Sequence, residues 1–252
     1  MDDISLNYRV EGGGRPLLLV HGFGISFAIW ENLLPLLRSH FTLVMVELPG
    51  TGESPLPTSG QSYLGASVAG IERVRLALGF EAWDVLGYSV GTRVAEAYTQ
   101  RHAAHVNAVI YLCPLSMDYF KFISLRMALW VDQFIPAFGN FILSGWRLKF
   151  LISLFGFNLH PNPAAGEWFT EISAKPMYVL KEMLRMLAMV GRHPFDRMRL
   201  SAFLWGDGDI IPARPRKFGT GDYLIHTNHA ALVLAAEEVA GVIIEFLQPF
   251  PV

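Results

Sequence analysis

Four short, largely apolar runs constrain the fold of this chain more than any other feature. Pro16–Val20, Phe41–Leu48, Trp83–Leu86 and Val106–Cys113 are each ended by turn-forming residues or by the start of a helical pattern. A strand reads as a near-continuous apolar run when both its faces are buried, the situation of a parallel sheet with helices packed on each side. Helical spacing fills the intervals at Ala28–Arg38, Tyr63–Leu78 and Val90–Gln100, and Gly79 is suited to the residue just past a helix end. Ile4–Val10 alternates like one more strand ahead of Gly12-Gly13-Gly14. The repeated strand–helix order predicts an α/β fold: a mostly parallel, twisted sheet covered by helices on both faces.

The rhythm stops at Leu115. From there to about Pro194 there is no clear strand, and Phe, Leu, Trp and Met fall at helical spacings; Met183, Met186 and Met189 recur every third residue. The rhythm resumes with Ala202–Trp205, Tyr223–Ile225 and a last helix over Ala230–Leu247. The expected organisation is a core domain made of residues 1–114 and 195–252, with residues 115–194 forming an all-helical cap inserted between two strands.

Composition narrows the function classes. Of 252 residues, 52% are apolar, ample for a core. The formal charge of −2 supplies no basic field to hold nucleic acid. Cys113 is the single cysteine, so no internal disulfide forms, which fits a reducing compartment. The opening MDDISLNYRV is acidic and lacks an apolar signal core, so the expected location is cytoplasmic. The greasiest region, Phe120 to Phe157, is interrupted by Lys121, Arg126, Asp132, Arg147 and Lys149, and no run reaches the ~18 residues a membrane span requires. With no cysteine pair and no His-x-x-x-His on a helix, neither metal nor cofactor is expected.

Gly87-Tyr88-Ser89-Val90-Gly91 sits where the third apolar run must turn into a helix. Gly-x-Ser-x-Gly in that context is a nucleophile elbow: the serine is held in a strained turn, and the glycines lack the Cβ that would strike the neighbouring strand and helix. The following helix aims its free N–H groups at the site. A serine hydroxyl needs a base, and the base needs an orienting acid, in the chain order Ser, Asp/Glu, His. Asp207 and Asp209 follow one later strand in Trp205-Gly206-Asp207-Gly208-Asp209; His226 and His229 follow the next.

With these elements in order, the chain resembles the α/β-hydrolase fold family, in particular its compact serine esterases. The resemblance spans nearly the whole chain outside the cap. It rests on His21-Gly22-Phe23-Gly24, on Glu47-Leu48-Pro49-Gly50-Thr51-Gly52-Glu53-Ser54, on the Ser89 elbow, on the Asp207–Asp209 loop and on His229 with its helix. The family pattern Gly-x-x-Asp selects Asp209 over Asp207. A helix carrying acids about two turns on, here Glu237-Glu238, selects His229 over His226. The resemblance therefore implies a Ser89–His229–Asp209 triad, an oxyanion hole from the backbone N–H groups of Phe23 and Val90, and a loop-organising role for His21. There are departures: Glu47 stands where many relatives have Asp, Pro212 comes one position early, and Ile210–Asp222 leaves room for one helical turn or none.

A cap over an elbow roofs the site, so an apolar pocket is expected, with Tyr88, Tyr119, Met183 and Met186 as candidate lining residues. With no cluster of cationic residues beside the predicted pocket elements, the expected substrate is a small apolar ester of short-to-medium chain, hydrolysed through an acyl-enzyme. The same triad serves C–C hydrolases, thioesterases and hydroxynitrile-lyase-like enzymes, and the same fold can serve as a non-catalytic receptor for hydrophobic ligands. Haloalkane dehalogenase and epoxide hydrolase chemistry is disfavoured, because both need Asp at the elbow. Membrane contact through the cap would require an exposed apolar patch. The oligomeric state stays open.

Overall fold

Seven strands form one sheet in the computed structural model, which describes residues 4–57, 62–147, 170–191, 193–197 and 200–248. They are β1 (Tyr8–Gly12), β2 (Arg15–Val20), β3 (Phe41–Val46), β4 (Trp83–Tyr88), β5 (Val106–Leu112), β6 (Ser201–Gly206) and β7 (Asp222–Ile225), in the spatial order β1-β3-β2-β4-β5-β6-β7. Only β1 runs antiparallel to its neighbour; every other pairing is parallel. The chain leaves β2 for β3 on one side, then returns to β4 and continues outward on the other. Loops after β2 and β4 therefore open beside each other at a topological switch point, where open α/β sheets bind ligands.

The apolar runs serve both faces of the sheet. Successive side chains point to opposite sides, so Leu17, Leu19, Leu43, Met45 and Leu86 join one fully buried cluster while Leu18, Val20, Val44, Val46 and Val85 join the other. The first face is covered by a 3-10 turn at Phe27–Trp30, by α1 (Leu34–Leu37) and by α7 (Ala231–Leu234) and α8 (Ala236–Leu247). The second is covered by α2 (Tyr63–Ala77) and α3 (Val90–Arg101).

Three boundaries differ from expectation. The helix expected over Ala28–Arg38 is two short pieces, because Pro35 in the first turn of α1 lacks the N–H that would continue a preceding helix. The last helix is likewise two pieces, broken at Ala235. The first strand begins at Tyr8 rather than Ile4; Ile4 and Leu6 are buried all the same, Leu6 so close to α2 that a Cβ on Gly70 would lie 2.5 Å from it.

Between β5 and β6 lie α4 (Tyr119–Phe134), α5 (Pro136–Ile142) and α6 (Met177–Val190). Residues 148–169 and 192 of the expected cap lie outside the described residues. Asp118 starts α4 by accepting the N–H of Lys121 at 2.8 Å, an N-cap. Helix α4 is apolar on two sides. One stripe faces inward, whereas Phe120, Ile123, Met127, Trp130 and Phe134 are exposed along the outside, an apolar patch of the kind that membrane contact would require. No helix among the described residues is long and apolar enough to cross a membrane.

Candidate active site

Ser89 caps α3 with φ +53° and ψ −117°, a conformation rare for any residue with a Cβ. Its own N–H donates to Leu112 O (3.0 Å) and its carbonyl accepts from Thr92 N–H (3.0 Å), so β5 and the first turn of α3 hold it there. The flanking glycines are required by contact. A Cβ on Gly91 would stand 2.2 Å from Val20 O, and one on Gly87 2.6 Å from Gly91 O.

The parallel strands deliver the other groups to the same sheet edge. Asp209 follows β6 and His229 follows β7. Ser89 Oγ lies 2.7 Å from His229 Nε2, and His229 Nδ1 lies 2.8 Å from Asp209 Oδ2. An aspartate only accepts, so Nδ1 carries the proton and neutral Nε2 is left to accept from the serine hydroxyl. The second carboxylate oxygen, Oδ1, accepts the N–H of Ile211 at 3.0 Å. All three residues are buried, with 4–6% of their surfaces exposed. Tyr88 donates its hydroxyl to the carbonyl of His229 at 2.5 Å and packs its ring beside the imidazole. Among the described residues, the one group able to hold a metal is Cys113 with Asp209 and His229. Burial pushes the Cys113 thiol well above its usual range, which keeps it protonated and a poor ligand.

The loop after β2 carries the second expected donor. His21 is fully buried; its Nδ1 is 2.8 Å from Gly22 O and its Nε2 accepts the N–H of Leu48 at 2.8 Å. Burial lowers its pKa to about 4, so it is neutral and committed to holding loop to loop. Gly22 lets that loop lie against the elbow: a Cβ there would be 3.3 Å from Ser89 Cβ. Phe23 and Val90 both line the cavity with Ser89 and His229, and no backbone acceptor for either N–H occurs among the described residues. Glu47, the departure from Asp, is buried and accepts from Asn7 Nδ2 (2.8 Å) and Glu53 N–H (2.7 Å), organising its turn. No helix forms between β6 and β7. That loop is instead tied to the start of the cap by Ala213 N–H donating to Ser116 O at 2.6 Å.

The alternatives weighed in sequence form a pair of their own. His226 Nδ1 is 2.9 Å from Asp207 Oδ2 at the surface, and no serine hydrogen-bonds to its ring among the described residues.

A cavity of about 380 Å³ opens over Ser89, walled by Phe23, Ile25, Leu125, Leu129, Leu184 and Leu187, among others. Of the four expected lining residues only Tyr88 is on its wall, and the hydroxyl of Tyr88 is already engaged with His229. Tyr119 is 62% exposed and lies away from the wall. Met183 and Met186 are buried on the opposite side of α6, packed into the core cluster of the sheet. The sequence spacing identified α6 as apolar; what it hid is that α6 is sandwiched, with Val179, Met183 and Met186 against the core, Lys181 and Leu184 toward the cavity, and Leu187 meeting both. Lys121, Asp132 and Lys181 also contribute to the wall and were not anticipated. Their signal was present: Lys121 and Asp132 share the helical phase of Leu125 and Leu129.

Comparison with known proteins identifies the fold family. A family model described as the alpha/beta hydrolase fold matches residues 15–143. The chain is 29% identical over 114 residues to a fluoroacetate dehalogenase from a Burkholderia species, covering 44% of this chain and 38% of that protein. It is 32% identical over 110 residues to a pimeloyl-(acyl-carrier protein) methyl ester esterase from Aeromonas hydrophila, covering 42% of this chain and 41% of that protein. The chain thus matches about two fifths of the length of each of these relatives. Among solved structures, a thermophilic esterase from Thermogutta terrifontis superposes with a TM-score of 0.75 at 21% identity, covering 97% of this chain and 93% of that one, a likeness of fold.

Proposed function

The chain belongs to the alpha/beta hydrolase fold family, and on that premise we propose that it is a serine hydrolase, specifically a carboxylesterase for apolar esters of short-to-medium chain. One observation carries the reading: Ser89 Oγ, His229 and Asp209 form an unbroken buried hydrogen-bond chain, 2.7 and 2.8 Å long, at the floor of an apolar cavity. A dehalogenase is among the relatives, but the elbow here presents a hydroxyl, not a carboxylate, so attack generates an acyl-enzyme.

In the proposed cycle, Ser89 Oγ attacks the ester carbonyl carbon as His229 Nε2 takes the hydroxyl proton. The carbonyl π electrons move onto oxygen, and the N–H groups of Phe23 and Val90 receive the oxyanion. The tetrahedral intermediate collapses, the carbon–alkoxy bond breaks, and His229 returns its proton to the departing alcohol. Water then repeats the sequence on the acyl-enzyme with His229 as base, releasing the acid and restoring Ser89. Asp209 holds the imidazole in the Nδ1–H tautomer and stabilises its transient positive charge.

The division into a core of residues 1–114 and 195–252 and a cap of residues 115–194 is part of this proposal, the cap walling the cavity and excluding water. A cytoplasmic setting is supported by the lone, buried thiol of Cys113. A panel of esters, thioesters and amides, run with Ser89→Ala as the control, tests the assignment. Ester turnover abolished in the variant is the expected result; preferred turnover of a thioester would transfer the same triad to another reaction.

A further inference from the structure

The wall of the cavity is not uniformly apolar. On α4 the lining positions are Lys121, Leu125, Ala128, Leu129 and Asp132, one stripe of a single helix, charged at both ends and apolar between. The Lys121 end meets the loop that carries Asp209. Its ammonium donates to Ile211 O at 3.1 Å, and Ile211 N–H is the group that donates to Asp209. The Asp132 end lies about 16 Å farther along the helix, at 1.5 Å per residue.

At that far end Asp132 is joined by Lys181 from α6, Nζ to Oδ1 at 2.8 Å, and both residues are more than nine-tenths buried. The pair is built into the cap. Gly139 N–H donates to Asp132 Oδ1 (3.0 Å), Lys181 Nζ donates to Pro136 O (3.2 Å), and a Cβ on Gly139 would lie 2.3 Å from the carboxylate. An ammonium has three protons. Two have acceptors, Asp132 and Pro136, and the third has none among the described residues, although Lys181 lines the cavity.

We propose that the Asp132–Lys181 pair is a specificity-determining subsite, and that the cavity takes a medium-chain ester whose apolar arm ends in a neutral hydrogen-bond acceptor, a carbonyl or hydroxyl oxygen. The arm lies along Leu125, Ala128 and Leu129, and its terminal oxygen accepts the free proton of Lys181. A neutral terminus is preferred to a carboxylate because Asp132 already balances the ammonium, and a further negative charge would be uncompensated in an apolar enclosure. The subsite rests on the serine-hydrolase reading for the position of the reacting carbonyl.

The test uses two fluorophosphonates with arms of equal length, one ending in a methyl ketone and one in a plain alkyl group. On reaction the Ser89 Oγ–P bond forms, the P–F bond breaks, fluoride leaves and His229 takes the hydroxyl proton. The full chain, wild type and Asp132→Leu/Lys181→Met, is labelled with each probe and the second-order rate at Ser89 is followed by intact mass. The double variant keeps the site charge-balanced where Lys181→Met alone would strand a buried carboxylate. The wild type should favour the ketone arm over the plain arm by roughly ten- to a hundredfold more than the double variant does, the scale of a hydrogen bond to a charged donor. Equal ratios in the two proteins would overturn the subsite and leave the triad standing. Failure of both probes to label Ser89 in the wild type would instead remove the nucleophile, and the subsite with it.

Discussion

The same two loops hold two Asp–His pairs of nearly equal length, and one of them is buried with Ser89 on its imidazole. Asp209–His229 spans 2.8 Å and Asp207–His226 spans 2.9 Å. The side chains of Asp209 and His229 are 0% and 5% exposed; those of Asp207 and His226 are 42% and 80% exposed. Burial sharpens the inner hydrogen bond and fixes the ring, whereas water and salt screen the outer pair. The inner imidazole also has Ser89 on its other nitrogen, and the outer one does not. A carboxylate–imidazole contact is therefore not itself a catalytic signature. On the proposed function, the third group and the burial of all three make it one.

The largest effect should come from breaking the inner chain at its nucleophile. Ser89→Ala should cut kcat for ester hydrolysis by at least about a thousandfold while leaving the fold intact by circular dichroism. Next is a direct contrast between the acids. Asp209→Asn should lower kcat by roughly 10³- to 10⁴-fold by favouring the wrong tautomer of His229, and Asp207→Asn should change it less than about twofold, a surface substitution away from the reacting groups. Comparable losses in both would erase the distinction between the two pairs.

A third histidine sharpens the contrast through pH. His21 has its pKa lowered from 6.5 to about 4 by burial, so the unfolded chain takes up its proton first. Its contribution to stability is complete above pH 6.5 and is withdrawn as pH falls toward 4, by roughly 3 kcal/mol at 1.36 kcal/mol per unit. Chemical denaturation at a series of pH values checks this, with a flattened slope expected in His21→Gln. The smallest effect belongs to His226, whose pKa is raised by its hydrogen bond to Asp207. Its contribution is present below the unfolded value of 6.5 and is lost as pH rises through the raised folded value. The Tm difference between wild type and His226→Gln should therefore be slight in mild acid and vanish in alkali.

Much of this was legible in sequence because it depends on local rules. Strands buried on both faces read as apolar runs, and parallel order then sends the C-terminal end of every strand but β1, with Ser89, Asp209 and His229, to one edge. Asp209 could be separated from Asp207, and His229 from His226, by the family pattern and not by residue type, since both acids and both histidines bond in pairs. The cavity wall was not legible. Helical periodicity marks Met183, Met186, Leu184 and Leu187 alike as apolar, and which of them also reaches the cavity depends on how α6 sits on the sheet. The Asp132–Lys181 pair was hidden for the same reason: its members are 49 positions apart and meet only when α4 and α6 pack.

The central claim is that one buried imidazole activates one serine. It is tested most directly by treating the wild type, His226→Gln and His229→Gln with a simple alkyl fluorophosphonate and mapping the adduct by peptide mass spectrometry. The predicted result is a single adduct on Ser89 in the wild type and in His226→Gln, formed at the same rate, with labelling of His229→Gln slowed by orders of magnitude. An adduct on another residue, or undiminished labelling of Ser89 in His229→Gln, would contradict it.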